Sequence, residues 1–213
     1  PGEAARRLNE TIFDTLNVHY STGRARADQA PSESIAQGKA SCTGLSILLA
    51  NACRACAVPA RLVSVVWPHK AGNHTWVEVW DGAQWRFVGA DEPDPAGLDR
   101  GWFVGDAAQA AAASEPRHRP WAVSFAATGT KFAAGWGRGI ELWGIDRRDA
   151  YRTPTADGDA ALAGQLDRWF AAGPAERATF AVDSNQAAGQ PPAAGAARQR
   201  ARGRGAMPRP RAP

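Results

Sequence analysis

Three residues of the types used in nucleophilic catalysis occur along the chain in the order Cys42, His74 and Asp91. Cys42 follows Ser41, a favourable helix N-cap, and the apolar residues after it recur with the spacing of an amphipathic helix. The thiol is therefore predicted in a first helical turn, where unpaired backbone N–H groups and the helix dipole favour negative charge. A thiolate is such a charge, so this position predicts a lowered pKa and a nucleophilic cysteine.

A predicted β-hairpin brings the other two residues together. Strand-like residues 73–80 and 84–88 flank Asp81-Gly82, which is a strong hairpin turn signal. Counting back from this turn places Asp91 within a residue or two of His74, at the same end of the sheet. A carboxylate beside an imidazole fixes its tautomer and stabilises the imidazolium. If the nucleophile's helix begins at that end, the three residues form a nucleophile, a base and an orienting acid.

The other predicted elements complete an α+β arrangement, in which N-terminal helices pack on an antiparallel sheet. Helices are expected over residues 4–18 and from Ser41 to Ala57, separated by a polar surface loop at 24–37. A β-branched stretch predicts a further strand before the hairpin. Later in the chain we expect short strands at 121–125, 131–132 and 140–145, and helices at 107–113 and 159–170.

Composition divides the chain into three parts. We expect a core over residues 1–112, then an extension of mixed short strands and a helix over 113–186. Residues 187–213 are rich in Pro, Gly, Ala and Arg and are expected to be a disordered, solvated tail rather than a nucleic-acid-binding element. Six arginines and no acidic residue follow Gln190, so the net charge of +4 becomes −2 when they are set aside. The basic pI therefore belongs to the tail.

Two classes of protein are disfavoured by the sequence. No apolar run approaches the roughly 18 residues of a membrane span, and any targeting segment is expected to lie outside this sequence. Three cysteines are an odd number, which argues against a full disulfide framework and leaves room for a reactive thiol.

One alternative reading is a zinc finger, because the chain contains the spacing Cys53-x2-Cys56-x12-His69-x4-His74. A finger needs helical residues around its histidines. Here a proline directly precedes the first histidine, a glycine separates the two, and the residues before them are strand formers. We therefore expect neither a metal nor a cofactor.

Several sequence blocks resemble the transglutaminase-like superfamily in order and spacing, and the resemblance is to a bacterial multidomain branch of it. It is strong over residues 38–91 and weaker over the N-terminal helix and residues 98–170. The matching blocks are Gly38-Lys39-Ala40-Ser41-Cys42-Thr43-Gly44, Arg54, Val58-Pro59-Ala60-Arg61, Asn73-His74-Thr75-Trp76-Val77-Glu78, Trp85 and Asp91.

The resemblance implies a papain-like α+β core that performs acyl transfer at amide bonds of a protein or peptide. Cys42 would form a thioester, with His74 as general base and then acid and Asp91 orienting His74. Water or an amine would resolve the thioester, and peptide hydrolysis is the expected outcome. The alternative is a non-catalytic binding or structural module that retains the fold.

The same resemblance implies an oxyanion hole made by the Cys42 backbone N–H and a second donor. Animal members supply that donor from an indole upstream of the cysteine, but this chain has no tryptophan before Trp67. Tyr20 and Gln37 are the predicted substitutes. Trp76, two residues after the histidine, is expected in the core on a face of the sheet, and a position lining the substrate cleft is the alternative.

Overall fold

The structure is a computed structural model that describes residues 1–137 and 139–152. The helix predicted at 159–170 and the predicted tail at 187–213 lie outside the described residues. Five α-helices are described: α1 Gly2–Leu16, α2 Pro31–Gln37, α3 Cys42–Ala55, α4 Val104–Ala111 and α5 Arg148–Tyr151. Eight strands accompany them: β1 His19–Tyr20, β2 Lys39–Ala40, β3 Ala60–Val66, β4 Asn73–Trp80, β5 Trp85–Val88, β6 Trp121–Ser124, β7 Lys131–Ala133 and β8 Glu141–Asp146.

Six strands form one antiparallel sheet in the order β5-β4-β3-β6-β8-β7. The predicted hairpin is confirmed, with Trp80 paired to Trp85 across the turn. The three later strands join the sheet beside β3, where Ala122 pairs with Val63. Strands from the part expected to be an extension therefore continue the sheet of the core.

Helices cover both faces of this sheet, which confirms the α+β class. Successive side chains of a strand point to opposite faces, and β4 is buried along nearly its whole length. Val77 and Val79 belong to the cluster that also holds α1 and α3. Trp76 instead lies in the cluster that includes Phe103 and the alanines of α4. His74 has the same parity as Trp76 and is therefore on the α4 face.

The helix of the nucleophile begins where the sequence predicts. Ser41 Oγ accepts a hydrogen bond from the Gly44 N–H at 3.2 Å and donates one to the Ala27 carbonyl at 2.6 Å. This cap satisfies one of the unpaired donors of the first turn and makes Cys42 the first helical residue. Among the described helices, none is long and apolar enough to cross a bilayer.

Two local expectations are corrected by the structure, and one feature was not predicted. Helix α1 ends at Leu16 because Asn17 adopts a left-handed conformation, with φ 50°. The loop expected at 24–37 contains α2, which begins at Pro31 and is capped by Glu33, whose Oε2 accepts from the Ala30 N–H at 2.7 Å. Two-residue strands β1 and β2 pair in parallel just before Cys42. A run of two residues carries no periodicity, so no sequence pattern predicts such strands.

A buried carboxylate ties the end of the described chain to β4. Glu78 is 1% exposed and accepts from Arg61 Nε at 2.7 Å, Arg147 Nε at 2.9 Å and Tyr151 Oη at 2.8 Å. Tyr151 Oη in turn accepts from Trp76 Nε1 at 2.8 Å. These contacts fix α5 against the same strand that carries His74.

Candidate active site

The candidate site lies at an open edge of β4. Strand β5 ends at Val88, which pairs with Val77, so the first four residues of β4 have no β5 partner. The Trp80 N–H bonds to the Pro59 carbonyl on the β3 side. Because backbone groups of an antiparallel strand alternate between its two edges, the N–H and C=O of Thr75 point to the open edge.

Residues near the start of α3 form hydrogen bonds to Thr75 at that edge. Ser46 Oγ donates to the Thr75 carbonyl at 3.0 Å, and the hydroxyls of Thr43 and Thr75 lie 3.0 Å apart. The Thr75 backbone N–H donates to the Cys42 sulfur. The thiol is therefore held against the main chain directly beside His74. These anchors were not predicted, although polar residues on the apolar face of α3 were a usable signal in the sequence.

The electrostatics of Cys42 differ from the sequence prediction. The side chain is partly exposed, yet burial raises the pKa of the thiol above its usual value, and the charge of Glu92 adds to that increase. Hydrogen bonds from Thr75 and Thr43 lower the pKa but do not outweigh burial. The lowered pKa predicted from the helix dipole is thus wrong. The Cys42 backbone N–H, in the first turn, has no carbonyl four residues earlier within the helix.

His74 is 4% exposed and enclosed by aromatic rings. The ring centroids of Trp102 and Phe103 lie 4.7 and 4.9 Å from its imidazole, and its Nε2 has no hydrogen-bond partner. Burial, with a smaller contribution from the Lys70 cation, lowers the pKa of His74 to about 3. The thiol and the imidazole are therefore both neutral at pH 7, and the imidazole is free to accept a proton.

The lowered pKa of His74 predicts a loss of stability in acid. An unfolded histidine has a pKa of about 6.5, so between pH 6.5 and 3 the unfolded state binds the extra proton and stability falls as pH falls. At about 1.4 kcal/mol per pH unit, wild type should lose roughly 2–3 kcal/mol more than His74→Gln between pH 6.5 and 4.5. Urea unfolding at both pH values measures this difference, and equal losses in the two proteins would contradict it.

Asp91, the predicted orienting acid, is directed toward a different histidine. Its backbone is left-handed, with φ 65°, and its N–H donates to Asn9 Oδ1 at 3.0 Å. The carboxylate lies 3.2 Å from His19 Nδ1. Burial raises the pKa of Asp91, and His19 opposes that rise. The hairpin count is sound, but β5 ends before Asp91 and the positive φ turns the residue away from the strand.

Glu92 is the carboxyl group that sequence analysis did not select. Its Oε2 accepts a hydrogen bond from Trp102 Nε1 at 3.0 Å, and the Trp102 ring contacts His74. Burial raises the pKa of Glu92 to about 7, with a further increase from Asp91 and an opposing contribution from Trp102. A glycine three residues earlier was the available signal, because a side chain at Gly89 would collide with Glu92 Oε2.

The three residues proposed around the oxyanion and cleft occupy different settings. Tyr20 pairs with Ala40, two residues before the nucleophile, whereas Gln37 Oε1 accepts from the Ala25 N–H at 3.1 Å. The role of either as a donor stays a prediction. Trp76 is 0% exposed and its indole N–H is committed to Tyr151, so it is part of the core as expected, and the alternative position in the cleft is wrong.

The zinc-finger reading finds no geometric support. Cys53 is buried, Cys56 is exposed, and His69 Nε2 bonds Asp106 Oδ1 at 2.8 Å. Across residues 1–137 and 139–152, no group of three or more His, Cys, Asp or Glu side chains could hold a metal ion.

Comparison with known proteins finds one family model that matches the N-terminal part. Residues 1–90 match the model of the transglutaminase-like superfamily. Cys42 and His74 fall inside the matched residues, and Asp91 and Glu92 follow directly after them. No curated protein matches the chain. It is similar at 24% identity to a solved candidate cysteine protease from Cytophaga hutchinsonii, over 67% of this chain and 50% of that chain, with a TM-score of 0.36. The match thus spans about half the length of that protein.

Proposed function

We propose that this protein performs acyl transfer at amide bonds through a thioester on Cys42, with peptide hydrolysis as the usual outcome. One observation carries the proposal: the Cys42 sulfur is anchored to the backbone N–H of Thr75, directly beside a buried neutral histidine with an unpartnered Nε2. A nucleophile and a base in adjoining positions are what covalent catalysis requires.

The proposed reaction follows from the neutral Cys42 thiol and the neutral His74 imidazole. His74 takes the thiol proton as the sulfur attacks the amide carbonyl, so an S–H bond is exchanged for an N–H bond. The resulting oxyanion is met by the Cys42 backbone N–H in the first turn of α3. The imidazolium then protonates the leaving amine, which departs and leaves a thioester. Water, with His74 again as base, hydrolyses the thioester to a carboxylic acid and restores the thiol.

Partial exposure of Cys42 supports water as the acceptor, because solvent can reach the thioester without a dedicated binding site. Transamidation would use the same thioester with an amine in place of water. The proposed substrate is a protein or peptide, since an amide carbonyl is the group that this chemistry attacks.

The proposal is tested by covalent labelling with p-nitrophenyl acetate, a small activated ester that acylates reactive thiols. Intact mass and peptide mapping are expected to find one acetyl group on Cys42, together with release of nitrophenolate. Cys42→Ala should abolish both signals. Cys56→Ser, a change at the exposed cysteine just after the same helix, should leave both unchanged. Acetylation that avoids Cys42 would instead favour the non-catalytic module.

A further inference from the structure

Two neighbouring carboxyl groups follow β5, and the structure directs them to different partners. Asp91 contacts His19 on one side, whereas Glu92 reaches the indole that packs on His74 and acts by its charge on the Cys42 thiol. The His74 Nε2 is buried and has no hydrogen-bond partner. No group bonded to this atom therefore stabilises the positive charge that forms when the imidazole accepts a proton. Asp91 is already engaged elsewhere.

We propose that Glu92, rather than Asp91, is the carboxyl group that positions His74 and stabilises its charged form during acyl transfer. This inference rests on the proposed function. When His74 accepts the thiol proton, the imidazolium is stabilised by the Glu92 carboxylate, and no atom of Glu92 is transferred. Glu92 is therefore a positioning residue, and Asp91 belongs to the turn that delivers it.

The turn that positions Glu92 is stabilised by hydrogen bonds from Asn9 and from its own backbone. Asn9, buried in α1, donates to the Gly89 carbonyl at 2.9 Å and accepts from the Asp91 N–H at 3.0 Å. The Glu92 N–H closes the turn on the same Gly89 carbonyl at 3.3 Å. Because Gly89 has no Cβ, the Glu92 side chain can fold back over it toward Trp102. The glycine thus provides the space for the carboxyl group.

The ionisation of Glu92 is expected to appear in the pH dependence of the acylation rate. The charge of Glu92 acts on Cys42 of α3, and the charge of Asp91 in the turn acts on Glu92, while Lys70 acts on His74 from the loop before β4. Burial raises the pKa of Glu92 to about 7. The ionised form is the active one, so the acylation rate should rise with pH through about 7. Cys42 titrates well above this range and His74 well below it.

The test compares acetylation of Cys42 by p-nitrophenyl acetate in wild type, Glu92→Gln and Asp91→Asn across pH 5–9. Glu92→Gln keeps an acceptor for Trp102 and should lower the rate about 10- to 10²-fold, a smaller loss than for a fully buried triad aspartate. It should also remove the rise near pH 7. Asp91→Asn, the same charge change one residue earlier, should keep a rate within a few-fold of wild type. It should also keep the rise, moved slightly to lower pH because the Asp91 charge no longer raises the pKa of Glu92.

Gly89→Ala is a second test of the role of Glu92, because the added methyl displaces the Glu92 carboxylate without removing it. We expect it to reproduce the rate loss of Glu92→Gln. A wild-type profile with no rise near pH 7, or a rate loss confined to Asp91→Asn, overturns this inference while Cys42 acetylation stands. Absence of Cys42 acetylation in wild type overturns the proposed function and this inference together.

Discussion

His74→Gln is expected to slow acetylation of Cys42 by about 10²- to 10⁴-fold, the usual contribution of a general base. The thiol has a raised pKa, so it holds its proton at pH 7 and cannot attack without a base beside it. Glutamine fills a similar volume among the surrounding rings but cannot accept that proton. The rate of nitrophenolate release at pH 7.5 measures the effect.

His69→Gln is the matched control, because His69 lies five residues earlier, at the edge of the same aromatic group, and pairs with Asp106. It should leave the rate within a few-fold of wild type. A His74→Gln protein that acetylates Cys42 at the wild-type rate would exclude His74 as the base. In that case the neutral thiol would have to be activated by another group.

Glu78→Gln is expected to lower the free energy of unfolding by about 3–5 kcal/mol, the usual cost of removing one partner from a buried ion pair. The substitution removes the negative charge that two guanidinium groups share, while their side chains are only 12% and 21% exposed in Arg61 and Arg147. It also weakens the acceptor of the Tyr151 hydroxyl. Urea unfolding monitored by tryptophan fluorescence measures the change.

Glu33→Gln provides the comparison on the surface. Glu33 also pairs with an arginine, Arg26, but its side chain is 44% exposed, and exposed pairs are worth about 0–1 kcal/mol. Similar losses in the two variants would show that the burial of Glu78 adds nothing to its contribution.

The parts of the fold that sequence could predict are those with strong local signals. The helix at Cys42 follows from its cap and its apolar spacing, and the hairpin follows from Asp81-Gly82 between two β-rich runs. Both are confirmed. Helix α2 was missed because seven mostly polar residues lack a periodic apolar face, although Pro31 marks its start.

The parts of the site that sequence could not predict depend on single dihedral angles and on tertiary burial. Asp91 has a positive φ, and Glu92, not Asp91, is the carboxyl group bonded to Trp102. Apart from Gly89, nothing in the residue types around them distinguishes the two. Likewise, the helix dipole is visible in the sequence, but the desolvation that outweighs it at Cys42 comes from neighbours distant in the chain.

The hydrogen bonds of Glu78 bear on where the chain can be truncated. The segment that matches the superfamily ends at residue 90, yet β4 obtains two of its polar partners from Arg147 and Tyr151, more than 50 residues later. An excised fragment of residues 1–90 would expose the Trp76 indole and leave Glu78 with Arg61 alone. Truncation after residue 90 is therefore expected to destabilise β4, whereas a chain that extends to Tyr151 would keep these contacts.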